Sequence, residues 1–309
     1  MTAGVIFHVV RMVFLPPYFN FALVILLFHY LFSSMSISSN FFPKIWKESL
    51  IIPFYKGGPR GDITNYHPIA KLSSIPKLFE AIVTKTIIFN IKTIICREQH
   101  GFMNGRSTTS NLLEFVTFCT DQFIDRCQVD CIFTDFSKAF DKLSHGILLL
   151  KLASIGFNEN FVSWIGSYLK SRTCRINFNG CVSDVFKIGS GIPQGSHLGP
   201  VMFILFINDL IDSIKHSKCL MYADDVKLFK SIVSAADCHE LQSDISNFYL
   251  WCKTNGLTLN INKCKVMNFT RRNTTMTYSY HLDGMVLSSS CLVKDLGVFL
   301  DTTYFLQSY

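Results

Sequence analysis

A chain of 309 residues, 49% of them hydrophobic, carries enough apolar surface for one large domain or two lobes, which excludes a disordered or low-complexity protein. Twenty-nine Lys and Arg against 22 Asp and Glu leave a net charge of +7, which suits a polyanionic partner without identifying one. A mean hydropathy of +0.29 makes membrane segments the first class to exclude.

The most apolar run is "FALVILLFHYLF", residues 21–32, about 12 residues long where a spanning helix needs roughly 20. Extended backwards it meets Asn20, Pro17, Pro16 and Arg11, so it reads as a buried lead-in helix rather than a signal or anchor, and no membrane partner is expected. "CIFTD" then reads as an apolar strand ended by Asp135. Leu143, Ile147 and Leu150 recur at helical spacing and Gly156 supplies a stop, which predicts an amphipathic helix over 142–155. In "TCRINFNGCVSDVFKIG" the dipeptide Asn179-Gly180 suits the two positive φ angles of a type I′ turn, so the stretch is a hairpin.

Pro200, as a first helical residue, opens a helix over "PVMFILFINDLIDSI". Two strand-like arms, Cys219 to Ala223 and Val226 to Phe229, meet at Asp224-Asp225, which places both acids at a hairpin tip. Leu241, Ile245, Phe248 and Cys252 line a later helix that stops near Gly256. The alternation of helix and strand points to a mixed α/β or α+β protein. Eleven cysteines form no close C-x-x-C pair, and Cys238-His239 with Cys252 is too sparse for a metal cluster, so reduced thiols fit best.

Two carboxylates about 4 Å apart repel by about 4 kcal/mol at an effective dielectric near 20, so adjacent acids call for a proton or a cation. Asp also favours ordinary turns, and a Tyr-x-Asp-Asp string alone is weak. Asp135, ending another apolar strand, adds a third carboxylate for the same cation. Three carboxylates from two strands suit a pair of hard divalent ions with positions open to substrate phosphates, and nucleotidyl transfer follows from that chemistry.

Eight strings then occur in one order: "FPKIWKESLIIPFYKGG", "NYHPIAKLSSIPKLFE", "HGFMNGRSTTSNL", "FTDFSKAFDKLSHGILLLKL", "GIPQGSHLGPVMFILFINDL", "YADD", "GLTLNINKCKVMNF" and "KDLGVFLD". Together they resemble the reverse transcriptase domain of non-LTR retrotransposons of the jockey-like kind, from about Phe42 to Asp301.

That resemblance implies an α+β right-hand polymerase with fingers and palm, an antiparallel palm sheet backed by helices, and a thumb largely absent because the chain stops at Tyr309. The implied division is 1–43 as an apolar lead-in helix associated with the fingers, 44–125 as fingers, 126–275 as palm, and 276–309 as the end of the palm. It implies RNA-directed DNA synthesis with two Mg2+ ions, or Mn2+ in their place, and an RNA template, a DNA primer and dNTPs as partners. Asp135, Asp224 and Asp225 become the catalytic and metal-binding acids, with the Phe136 carbonyl as a further ligand. Lys263 becomes a general acid beside the leaving pyrophosphate, and Tyr222 borders the primer terminus.

By the same resemblance Phe140, five residues after Asp135, is the steric gate against ribonucleotides. Gln194 and Gly195 of "GIPQG" lie against template and nucleotide, Lys56 reaches the triphosphate, and Arg106 with Ser107 lies near template phosphate. One departure bears on activity: His67 stands where relatives have arginine in "NYRPI", replacing a fixed bidentate charge with a mostly neutral ring. His197 and Lys71 are milder departures. The rival expectation is a repurposed nucleic-acid binder that keeps the palm without turnover. A viral RNA polymerase is disfavoured by Tyr222-Ala223 where those proteins place glycine. An intracellular location is expected.

Overall fold

A computed structural model describes residues 39–272 and 275–302. The lead-in expected over 1–43 lies outside the described residues except at its end, where Phe42 is fully buried edge-on to Trp46, Trp164 and Tyr168. Among the described residues no helix is long and apolar enough to cross a membrane.

The first sheet begins with β1 (Glu48–Tyr55) and β2 (Tyr66–Lys71), paired antiparallel with Pro53 opposite Pro68. Proline lacks the N–H of a ladder, and both positions tolerate it: β2 is an edge, and the next neighbour of β1 pairs only over Glu48 to Ile51. Helices α1 (Ser74–Asn90) and α2 (Thr108–Ile124) follow, the second opened by a capping box between Ser107 and Ser110. Strand β3 (Gln128–Thr134) is buried along its whole length, as the centre of the second sheet.

The helix expected over 142–155 is α4 (His145–Ser154), preceded by a single turn, α3 (Ala139–Lys142). Leu143 is extended, and Ser144 accepts a hydrogen bond from Ile147 N as the cap of α4, an alternative to helix that serine offers the backbone. Gly156 ends α4 at φ +93°. After α5 (Glu159–Leu169), β4 (Arg172–Phe178) and β5 (Cys181–Val182) form the expected hairpin, with φ +51° at Asn179 and +83° at Gly180. With β6 (Phe186–Ile188), β4 joins β1 in the first sheet, so that sheet draws strands from both sides of residue 126.

Helix α6 (Leu198–Ile207) starts two residues before Pro200, where the Glu80 carboxylate of α1, 117 residues away, accepts a hydrogen bond from His197 N (2.9 Å) and Ser196 Oγ accepts one from Gly199 N (2.9 Å). It is buried nearly all round and forms the middle of the main core. Strands β7 (Lys218–Tyr222) and β8 (Asp225–Ile232) precede α7 (Ala235–Thr254), which contains the expected Leu241-to-Cys252 face and is followed by Gly256 at φ +71°. Strand β9 (Lys265–Phe269), the short pair β10 (His281–Leu282) and β11 (Met285–Val286), β12 (Ser288–Ser289), and the hairpin β13 (Leu292–Asp295) with β14 (Val298–Asp301) complete the chain.

The second sheet runs β12-β9-β3-β8-β7, antiparallel except where β12 meets β9. Alternation along β3 sends Ile132 into the main core, while Cys131 and Phe133 join Phe229, Met267 and Phe269 under Phe115 and Cys119 of α2. At one end of β3, Asp130 is wholly buried yet satisfied by Gln128, Asn268 and Tyr280. The other end of the strand stops at Asp135.

Candidate active site

Asp135 emerges where β3 ends. The β3–β8 register pairs Thr134 with Val226, and Thr134 Oγ1 donates to Val226 O (2.8 Å), so the next step of the ladder sets Asp135 opposite Asp225. Residues 90 apart in sequence are thus brought to one sheet end. Tyr222 pairs with Asp225, which makes Asp225 the first residue of β8; only Ala223 and Asp224 form the turn, where the sequence placed both acids at the tip. Ala223 adopts φ +54°, the left-handed start of a tight hairpin turn.

The acids sense one another. Burial raises the Asp224 carboxyl above its ordinary range, and the Asp135 charge raises it further. Burial pushes Asp225 up to about 6, with Asp224, Asp295 and Asp135 adding to the rise. Lys263 Nζ lies 3.6 Å from Asp135 Oδ2, an exposed pair that gives Asp135 a nearby cation. A cavity of about 350 Å³ is lined by Asp135, Asp225, Lys227, Lys263, Lys265 and Asp295, among others, and Asp224 is half-buried at the tip outside that lining. Its back wall is fixed by a buried ion pair between Lys227 and Asp295. Opposite it, Asn260 N donates to Asp135 O (2.7 Å) and Ser137 N to Thr258 O (2.7 Å), a bridge in which the Phe136 carbonyl itself takes no part.

A second group of expected residues meets beside the first sheet, between β2 and α3. Gly191 and Gly195 of "GIPQG" both have positive φ (+78° and +99°), and a Cβ on them would lie 2.5 Å from Asp141 O and 2.8 Å from Ala70 O respectively, so only glycine fits. Ala70 N donates to Gln194 O (2.9 Å), and Gln194 Nε2 donates to Asp141 Oδ1 (2.7 Å), which aims the amide. His67 lies within electrostatic reach of both Lys56 and Asp141: burial lowers its pKa first, the Lys56 charge lowers it next, and Asp141 opposes them, leaving the ring neutral at pH 7. Lys56 itself is exposed.

Other expected residues have structural duties. Phe140 is half-buried and stacks on Phe203 of α6, centroids 4.4 Å apart. Arg106 Nη1 donates to Cys96 O (2.7 Å) and Gln99 O (2.5 Å), folding the loop before α2, and Ser107 caps that helix. His197 is the residue before α6, and Lys71 is exposed at the end of β2. Asp141, Lys227, Asp295 and Gln99 were not singled out from the sequence, although all four lie within or beside quoted strings.

Among the described residues no three His, Cys, Asp or Glu side chains stand close enough to hold a metal ion together. The donor chemistry nevertheless fits a hard cation. The acids are oxygen donors, and Asp224 and Asp225 are held at raised pKa by burial and by the charge of neighbouring acids, a cost that a divalent ion would relieve.

A family model described as reverse transcriptase (RNA-dependent DNA polymerase) matches residues 55–291, a span that holds Asp135, Asp224, Asp225, Lys263 and the second group, with Asp295 just beyond it. The chain belongs to the reverse transcriptase family. It is 30% identical over 278 residues to a probable RNA-directed DNA polymerase from transposon BS of Drosophila melanogaster. It is 28% identical over 274 residues to the RNA-directed DNA polymerase from mobile element jockey of the same species, so the jockey-like resemblance holds. Each match covers 84% of this chain and 30% of the relative, so this reverse transcriptase chain spans about 30% of the length of these relatives. Among solved structures, apo telomerase from Candida tropicalis truncated from its C-terminal domain superposes with a TM-score of 0.58 at 14% identity, over 88% of this chain and 58% of that one. At that identity the likeness supports the α+β polymerase fold alone.

Proposed function

We propose that this chain carries the nucleotidyl-transfer site of an RNA-directed DNA polymerase from a jockey-like mobile element, extending a DNA primer on an RNA template with dNTPs. The observation that carries the reading is the register that sets Asp135 opposite Asp225, one residue from Asp224. Asp135, Asp224 and Asp225 would hold two divalent ions, Mg2+ by preference and Mn2+ as a substitute, with the Phe136 carbonyl as an accessory donor. When bound, such ions lower the pKa of a primer 3′-hydroxyl and neutralise charge on the triphosphate.

The chain's own residues do the rest. Lys263, on the rim beside Asp135, is placed to give a proton to the leaving pyrophosphate. Lys56 and His67 face the triphosphate, and the Asp141-anchored Gln194 presents a fixed amide to template and nucleotide, with Gly195 permitting the close approach. Phe140 backs the sugar and Tyr222 borders the primer end. Arg106 is assigned to shaping its loop, since its guanidinium already serves two carbonyls. Residues 44–125 with 172–188 serve as fingers, and the remaining residues up to 275 as palm. Nucleic acid held through phosphates would dissociate steeply as salt rises.

Primer extension on poly(rA)/oligo(dT) with Mg2+ tests this. Extension by the wild type that Asp224→Asn abolishes is expected; extension that survives Asp224→Asn, or RNA binding without any extension, overturns it.

A further inference from the structure

Gln99 stands outside both groups of residues, on the loop before α2, and is 1% exposed. Its Oε1 accepts two backbone hydrogen bonds, from Gly101 N (2.7 Å) and from Ala223 N (2.9 Å). Two converging N–H donors require the oxygen, not the NH2, at that point, so the amide has one orientation. Among the described residues its Nε2 is buried with no partner, so the side chain is held by what its oxygen accepts.

The second donor is the one that matters. Ala223 is the residue at φ +54°, immediately before Asp224 in the β7–β8 turn. Left-handed backbone is unfavourable for any residue with a Cβ and persists only where surroundings over-determine it. Here three elements converge on one end of β7. Met221 N donates to Glu98 O (2.9 Å) and His100 N to Met221 O (2.8 Å), which adds residues 98–100 as a short parallel strand along the edge of β7. Asn111 Nδ2 of α2 donates to the same Met221 carbonyl (3.1 Å). Gly101 then approaches so closely that a Cβ on it would lie 2.4 Å from Ala223 N.

We infer that Gln99 is a positioning residue for the catalytic turn: its amide oxygen holds Ala223 N–H so that Asp224 and Asp225 are presented towards Asp135. This rests on the proposed role of the three acids, and adds that their arrangement depends on a residue more than 120 positions upstream. Among the described residues no named strand lies beyond β7 in the sheet order, so its outer edge, and with it the hairpin tip, is supported by residues 98–101 and by Asn111 of α2.

The test is Gln99→Met, which keeps volume and removes the acceptor, assayed by primer extension and by amide hydrogen exchange. The expected result is a fall in kcat of at least about tenfold, with dNTP KM and primer-template Kd within about twofold of wild type, and faster exchange at residues 222–225. Adding Ala223→Gly, which adopts positive φ without the clamp, restores most of the lost kcat. An unchanged kcat, or a loss that Ala223→Gly does not restore, overturns the inference. Should Gln99→Met fail to fold, Gly101→Ala perturbs the same contact from the other side, and full activity of that variant overturns it equally. If the wild type shows no extension, the enzymatic reading fails by itself; exchange at 222–225 then decides the clamp, acceleration in Gln99→Met supporting it and unaltered protection overturning it.

Discussion

Replacing Asp225 by asparagine in the metal-free protein is expected to stabilise the fold at neutral pH while removing activity. The Asp225 carboxyl has an ordinary pKa of 3.8 and is raised to about 6 by burial, then by Asp224, Asp295 and Asp135. A group whose folded pKa lies above its unfolded value binds more protons in the folded state, so stability falls as pH rises from about 4 to 6. About two pKa units at 1.36 kcal/mol each set a ceiling of about 3 kcal/mol. Asp225 as a residue is exposed to solvent, so screening reduces the expected gain of Asp225→Asn to about 1 kcal/mol at most. For a chain of this size that is a rise in Tm of roughly 2–3 °C, read by thermal melts in EDTA. The difference between variant and wild type should be near zero at pH 4, grow through pH 6 and stay level to pH 8, and Mg2+ should raise the Tm of the wild type more than that of the variant. A difference that does not change with pH, or a variant less stable than wild type at pH 7.5, would refute the reasoning.

Other outcomes follow from the same geometry. Phe140→Val should raise rNTP incorporation relative to dNTP by roughly tenfold and cost roughly 2 kcal/mol of stability through lost stacking on Phe203, checked by misincorporation kinetics and denaturant melts. His67→Arg should lower dNTP KM by roughly tenfold, the scale of one added charge-assisted hydrogen bond; steady-state kinetics with unchanged KM would show that His67 does not face the triphosphate. Lys227→Met leaves Asp295 buried without its partner and should cost about 3 kcal/mol or more, whereas Lys227→Met with Asp295→Leu should recover most of that loss in urea unfolding.

Local chemistry made several elements readable from sequence alone. Asn179-Gly180 specifies a turn with two positive φ angles, Gly156 and Gly256 follow helices where left-handed backbone is needed, and the apolar face of Leu241, Ile245 and Phe248 repeats with the helical period. Asp135, Asp224 and Asp225 were legible because carboxylates ending apolar strands conflict with their surroundings unless chemistry uses them. The ordered strings fixed the family for the same kind of reason: each is a local pattern, complete within a few residues.

Only the tertiary structure decided how those pieces meet. The N-terminus of α6 meets the Glu80 carboxylate of α1, α4 begins at its Ser144 cap, and pairing with Tyr222 puts Asp225 in β8 rather than at the tip. The first sheet takes β4 from beyond α5 because its partner is β1, a pairing across more than a hundred residues that no local signal encodes. Gln99, Asp141 and Asp295 stayed hidden for one physical reason. A polar side chain acquires its role from the group it meets, and these meet Ala223, Gln194 and Lys227, each more than 50 residues away in the chain.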